Sequence, residues 1–295
     1  MRNRKFNSDT VFNIVHKLFM GLILILFAWP IWFIIISSVS DPYAITNGEV
    51  WLIPKGFQLE GFRKIFENKE LFVAYRNSIV YTVGGTAINI VLTVCAAFTL
   101  SRMDFWPRKF LTVMYIFTMY FGGGMIPYYL QIRDLGLMNS PWVMVIPNAI
   151  NIFNVLILRS CFMYGIPKEL EEAASLDGAG APQLLMKIYL PLSKATLAVL
   201  VLYYAVGHWN DYVSALLFLT DREILPLQSI LREILVMSDY MSRGSMNAAA
   251  VAEMMRTGGI IKYGVIIIST IPVMIMYPFV QKYFVKGVMV GAVKG

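Results

Sequence analysis

Apolar residues in this chain gather into long charge-free runs separated by shorter polar stretches. Six runs stand out: 18–40, 77–101, 110–132, 135–158, 195–220 and 263–281. One carboxylate, Asp211, interrupts the fifth, and Lys262 and Lys282 bound the sixth. A helix crosses the hydrocarbon core with about 20 mostly apolar residues, so each run predicts one spanning helix. Helices satisfy their backbone groups internally, as lipid demands. Strands of a membrane barrel alternate in polarity over about ten residues, and these runs do not. The pattern predicts an all-α integral membrane protein with six transmembrane helices. The first run is too long for the core of a cleaved signal peptide, so it reads as a span.

Composition agrees. The chain has 295 residues, 58% hydrophobic and 15% charged, with a mean hydropathy of +0.63. Soluble domains carry about a quarter charged residues. Disordered chains are not this apolar. An even number of spans puts both ends on one side. With the N-terminus inside, the inner pieces 1–17, 102–109, 159–194 and 282–295 carry an excess of Lys and Arg over acids. The outer loops 41–76, 133–134 and 221–262 are balanced. Arg2, Arg4, Lys5 and Lys17 flank the first helix, where basic residues hold a chain end in the cytoplasm most strongly. The expected organisation is a cytoplasmic tail over 1–17, a transmembrane domain over 18–281 and a short cytoplasmic tail over 282–295. The net charge of +7 then reads as membrane orientation. No basic stripe with interleaved aromatics points to nucleic acid.

Catalytic chemistry is poorly represented. The histidines are His16 and His208, and the cysteines, Cys95 and Cys161, have no metal-ligand or disulfide-framework spacing. There is no phosphate-binding loop, nucleophile elbow or zinc-protease motif. The reading assigns no catalytic and no metal residues and no cofactor. It favours a conduit over an enzyme, with the energy source elsewhere.

The inner segment 165–191 is the informative one. Pro167 suits a first helical turn, and Glu169, Glu171 and Glu172 follow at the positive end of that helix. Gly178 and Gly180 can stop it, Pro182 can start a second helix, and Pro191 marks entry to the fifth span. Periodicity alone also fits an ordinary amphipathic surface helix. The residues Glu172, Ala173, Ala174, Gly178, Ile188, Leu190 and Pro191 stand at the spacing of the EAA loop of ABC importer permeases, before the penultimate span. The resemblance extends to Asn77-Ser78, Ile126-Pro127, Gly136-Leu137 and Trp209-Asn210-Asp211, and the chain is similar to permease subunits of maltose-type carbohydrate importers.

That resemblance implies a subunit of the bacterial inner membrane. It would pair with a second, homologous permease, sit on two ATP-binding subunits that hold the ATP and Mg, and receive sugar from an extracytoplasmic binding protein. Glu172, Ala173, Ala174 and Gly178, with Asp177, Ile188, Leu190 and Pro191 in the same loop, would be the ATPase-coupling residues. The implied cargo is an oligosaccharide from polysaccharide breakdown. Two other classes make different demands on the sequence. An ion-driven secondary transporter calls for an inverted repeat and paired intramembrane acids. A non-translocating assembly subunit would keep the docking loop without sugar-dependent function.

Candidate substrate contacts come from polar residues within the runs. Asp211 lies about 24 Å along the fifth helix from Ala195 and should face protein or water. With Trp209 and Asn210 it offers hydrogen bonds and an aromatic face for sugar, or an interhelical contact. Asn148, Asn151 and Asn154 fall at three-residue spacing along the fourth helix, as helix–helix glue or the wall of a wet path. Tyr128 follows Gly122–Gly124 and Pro127 in a third helix that should be bent or loosened.

Overall fold

The computed structural model describes residues 8–243, 261–278 and 281–282. The basic residues Arg2, Arg4 and Lys5, the stretch 244–260 and the tail from 283 onward lie outside the described residues. Regular structure among the described residues is helical. The chain divides into two compact units, residues 1–68 with 233–269 and residues 69–232 with 270–295.

In the first unit α1 (Ser8–Ser38) carries the first predicted span and continues it toward the N-terminus. Its apolar side chains, among them Phe12, Leu18, Leu22 and Phe27, are exposed along the helix, as in a helix whose solvent is lipid. The chain then turns tightly. Ser40 Oγ donates to Ile36 O at 2.6 Å, and Asp41 N–H donates to Lys55 O at 2.9 Å. The Asp41 carboxylate caps α2 (Pro42–Thr46) by accepting Tyr43 N–H. Gly56 is needed for this turn: its φ is +63° and a Cβ there would lie 2.8 Å from Asp41 Cβ. In α3 (Glu60–Glu67), Ile65 is buried against Gly264 of the helix Ile261–Pro278.

The second unit is built around α4 (Lys69–Ser101). Along it Ser78, Thr82, Thr86, Asn89 and Thr93 recur at intervals of four, four, three and four, one face at the helical period, and all are buried. The succeeding helices are α5 (Arg108–Tyr120), α6 (Met125–Asp134), α7 (Ile152–Tyr164), α8 (Lys168–Leu176), α9 (Ala181–Leu192), α10 (Lys194–Trp209), α11 (Val213–Phe218) and α12 (Leu227–Arg243). Helices α7 and α10 pack along α4. They share a core of Val94, Phe98, Leu158, Phe162, Leu184, Tyr189 and Leu200.

Three expected spans are not continuous helices. The run 110–132 breaks after Tyr120, and α5 and α6 meet at 114°. Gly122–Gly124 cannot sustain the helix, and Gly124 stands at φ +87°, a conformation open to glycine. The run 135–158 is largely irregular up to Asn151, with a short 3-10 turn at Pro141–Met144, and only then becomes α7. Asn139, at φ 52°, accepts the Thr220 and Asp221 N–H groups on its side-chain oxygen, both at 3.0 Å. The run 195–220 stops at Trp209 and restarts as α11. Asn and Asp side chains compete for backbone groups at this break. Asn210 Nδ2 donates to Val206 O at 2.9 Å, and Asp211 Oδ1 accepts Ser214 N–H at 3.0 Å. The helices Val11–Ser38, Lys69–Ser101 and Ile261–Pro278 are each long and apolar enough to cross a membrane. The bent pairs α5–α6 and α9–α10 would raise that number to five if each is one crossing.

Candidate functional site

Residues 165–191 form two helices, as the glycines and prolines predict. Pro167 sits just before α8, in extended conformation, and Glu169 and Glu171 occupy the first turn, where the helix dipole favours acids. The far end closes in a Schellman motif. Ala179 N–H donates to Ala174 O at 2.9 Å and Gly178 N–H to Ser175 O at 3.1 Å, with Gly178 at φ +77°. Pro191 has no N–H to give and its ring would crowd the carbonyl four residues back. Helix α9 answers with a π turn over Leu185–Tyr189, in which Leu190 N–H reaches Leu185 O.

The loop has two faces. Glu172, Ala173, Asp177 and Gly178 are exposed. Ala174, Ile188 and Leu190 are half-buried against the core shared by α4, α7 and α10, and Pro191 is exposed at the α9 end. The inward anchor is Glu171, which the sequence showed only as one of the acids at the start of the helix. Glu171 Oε2 accepts the Tyr189 hydroxyl at 2.5 Å, and Glu171 Oε1 pairs with Arg102 at the end of α4. Tyr189 is buried, and its ring meets Phe98 and Phe162 edge to face at 5.1 and 5.2 Å. Burial and the adjoining Glu171 carboxylate push the Tyr189 hydroxyl up to about 12. Arg102 also holds Asp104, whose carboxyl lies below the ordinary carboxylate range because it accepts from that guanidinium. Arg159 Nε donates to Leu100 O at 2.9 Å and ties α7 to the same end of α4.

A second feature is a cavity of about 510 Å³ between α4, the segment before α7, α7 itself and α10. Asn148, Asn151 and Asp211 all line it, with Asn89, Asn154, Tyr203, Tyr204 and His208. The three asparagines are not a stripe on one helix. Asn148 and Asn151 precede α7, and Asn151 caps it by accepting Asn154 N–H at 3.1 Å. Asp211 likewise stands in the break after α10, beyond the helix on which it was expected. Asn89 Nδ2 donates to Asn148 O at 3.1 Å, and His208 Nε2 lies 3.4 Å from Asn89 Oδ1. Tyr204 Oη is 2.6 Å from Thr93 Oγ1 and accepts Asn151 N–H at 3.2 Å.

The other expected contacts are not among the residues that line the cavity. Trp209 is buried edge to face against Tyr75 at 5.7 Å. Asn210 turns back onto its own helix, and Tyr128 packs on Phe218 at 5.6 Å. Asn89, Tyr204 and His208 went unread as site residues. The polar stripe of α4 was the available signal for Asn89, since its spacing is visible in the residues alone. Asn77 and Ser78 have a positional role. Asn77 Nδ2 donates to Glu223 O at 2.7 Å and to Leu225 O at 3.1 Å, and Ser78 Oγ accepts Leu227 N–H at 2.8 Å.

Known proteins are similar to this chain in sequence and, in one case, in structure. The profile of a family described as "Binding-protein-dependent transport system inner membrane component" matches residues 71–290. Protein LplC of Bacillus subtilis (strain 168) is 36% identical over 295 residues, 100% of this chain and 98% of that one. The polygalacturonan/rhamnogalacturonan transport system permease protein YtcP of the same organism is 38% identical over 293 residues, 98% of this chain and 100% of that one. A chain in the crystal structure of a bacterial ABC transporter involved in the import of the acidic polysaccharide alginate superposes with a TM-score of 0.82. It is 34% identical, and the match covers 96% of this chain and 99% of that one. The chain belongs to the family of binding-protein-dependent transport system inner membrane components.

Proposed function

We propose that this chain is one of two homologous transmembrane subunits of an ATP-driven carbohydrate importer, and that α8 couples it to a separate ATPase. The observation that carries the coupling is the two-faced α8. Glu172, Ala173, Asp177 and Gly178 point outward on a helix that Glu171, the Schellman turn and the aromatic core hold rigid from behind. Small Ala173 permits close seating in a cleft, and Glu172 and Asp177 offer charge to basic groups there. Closure of an ATPase dimer would move α8, α9 and the end of α4 as one body. Alternating access follows when that body has two packings of similar energy. ATP and Mg²⁺ belong to the two partner subunits, and an extracytoplasmic binding protein delivers the sugar.

Six crossings with both ends in the cytoplasm fit this reading. The sixth comes from α7 with the irregular stretch before it, and in the α9–α10 pair the crossing is α10 while α9 stays with the inner loop. Non-helical backbone is tolerated at membrane depth where it is buried in protein or lines a water-filled cavity. That stretch supplies Asn148 and Asn151 to the cavity. The proposed cargo is an oligosaccharide from polysaccharide breakdown, a reading supported by the relatives named for polygalacturonan/rhamnogalacturonan and alginate transport. Asn148, Asn151 and Asp211 are the proposed substrate contacts on this chain.

The test joins Glu172→Ala with Gly178→Asp. The doubly substituted chain inserts in the membrane but no longer retains the ATPase, and sugar uptake is lost. Full uptake by that variant would remove α8 as the coupling element. In the unaltered complex, absence of a co-purifying ATPase would point to ion-driven transport. An ATPase indifferent to sugar would point to an assembly role.

A further inference from the structure

We infer that the cavity between α4, α7 and α10 seats an uncharged sugar unit and disfavours a uronate carboxylate. The inference rests on the carbohydrate reading above and names the class of unit that this subunit takes. The lining is rich in groups that serve hydroxyls: the amides of Asn148 and Asn151, the hydroxyl of Tyr203 and the Asp211 carboxylate. Amides both donate and accept, and a carboxylate accepts from paired hydroxyls. Phe153 and Tyr203 add half-exposed rings, apolar faces suited to the C–H side of a sugar.

Charge decides the rest. Among the described residues, Asp211 is the one Asp, Glu, Lys or Arg side chain in this lining. Carboxylate ligands are normally held by Arg or Lys through charge-assisted hydrogen bonds. Here a uronate carboxylate would meet the Asp211 carboxylate with no Lys or Arg among the described residues of the wall, and like charges at close range repel. An acidic oligosaccharide therefore presents a neutral or esterified unit to this cavity.

The experiment uses the assembled importer in proteoliposomes with its own binding protein and two matched probes, trigalacturonate and its fully methyl-esterified form. Uptake of each is compared between the unaltered chain, Asp211→Asn and Asp211→Glu. Asparagine can still accept Ser214 N–H, so the break before α11 is kept. The acid-to-ester uptake ratio rises several-fold in Asp211→Asn and stays at its original value in Asp211→Glu. The binding protein is the same throughout, so a change in ratio reports the permease. An unchanged ratio in Asp211→Asn overturns the inference and leaves the carbohydrate reading standing. ATP hydrolysis that responds to no sugar at all takes down the carbohydrate reading, and this inference with it.

Discussion

The Glu171 carboxylate accepts the Tyr189 hydroxyl at 2.5 Å, joining the two helices of the inner loop through residues 18 positions apart. Tyr189→Phe removes that bond and keeps the ring between Phe98 and Phe162. Hydrogen bonds to charged groups contribute about 1.5–3 kcal/mol net. The variant should lose stability in that range, read by denaturation in detergent, and transport fewer sugars per ATP hydrolysed. An unchanged transport-to-hydrolysis ratio would reduce the contact to a merely structural one.

The same pair predicts an alkaline effect. The Tyr189 hydroxyl ionises near 10 in the unfolded chain and is pushed up to about 12 in the fold. Its contribution is fully present below about pH 10, declines as pH rises toward about 12, and is gone above that. The stability difference between the unaltered chain and Tyr189→Phe should therefore shrink across that window and be flat at neutral pH. A difference that shrinks on acidification instead would contradict this assignment.

Gly85 and Gly84 are adjacent on α4 but should answer differently to alanine. A Cβ on Gly85 would lie 2.5 Å from His208 Nε2, with two further ring atoms within 2.9 Å. A Cβ on Gly84 would meet nothing within 4 Å. Gly85→Ala should cost about 1–3 kcal/mol through overpacking. Gly84→Ala should be neutral or stabilising by up to about 1 kcal/mol through helix propensity. Adding His208→Ala to Gly85→Ala should recover part of the loss, and thermal melts of the four chains would show it.

Gly178 offers a way to separate turn from surface. Its φ is +77°, yet a Cβ there meets nothing within 4 Å, so alanine is opposed by backbone strain alone. Gly178→Ala should cost about 1 kcal/mol, and Gly178→Asn less, because asparagine tolerates the left-handed region. Neither should unfold the chain, and loss of ATPase binding by Gly178→Asn at near-normal stability would mark the exposed face as the binding determinant.

Asn77 holds the segment after α11 by donating to two carbonyls, Glu223 O and Leu225 O. Asn77→Ala leaves those acceptors without it, at a cost of about 1–3 kcal/mol. The loosening should be local, so hydrogen exchange should rise in 222–227 and stay low in the core around Leu158. Uniform protection in both chains would refute the clamp.

Much of the scaffold was readable as hydrophobicity. The run 77–101 lies within one helix and 18–40 does so up to Ser38, and the inner loop shows its prolines and glycines at the predicted boundaries. What could not be read was continuity. The run 135–158 is as apolar as a helix, because residues facing lipid or a protein wall look alike whether or not the backbone is regular. Asn148, Asn151 and Asp211 consequently reach one cavity by a route that helical periodicity could not predict. Glu171 was hidden for another reason. Glu171 and Glu172 are chemically identical neighbours, and only the position of Tyr189 and Arg102 tells which one turns inward.

Successive helical residues diverge by about 100°, so these two adjacent acids serve opposite masters. The fold's own grip on α8 is vested in one, and in the proposed coupling the other faces the ATPase. Drift at Glu172, Ala173 or Asp177 would then retune which motor protein the subunit accepts while its own architecture goes untouched. On that reading, importers of related descent would have a means to exchange or share motors without redesigning their membrane halves.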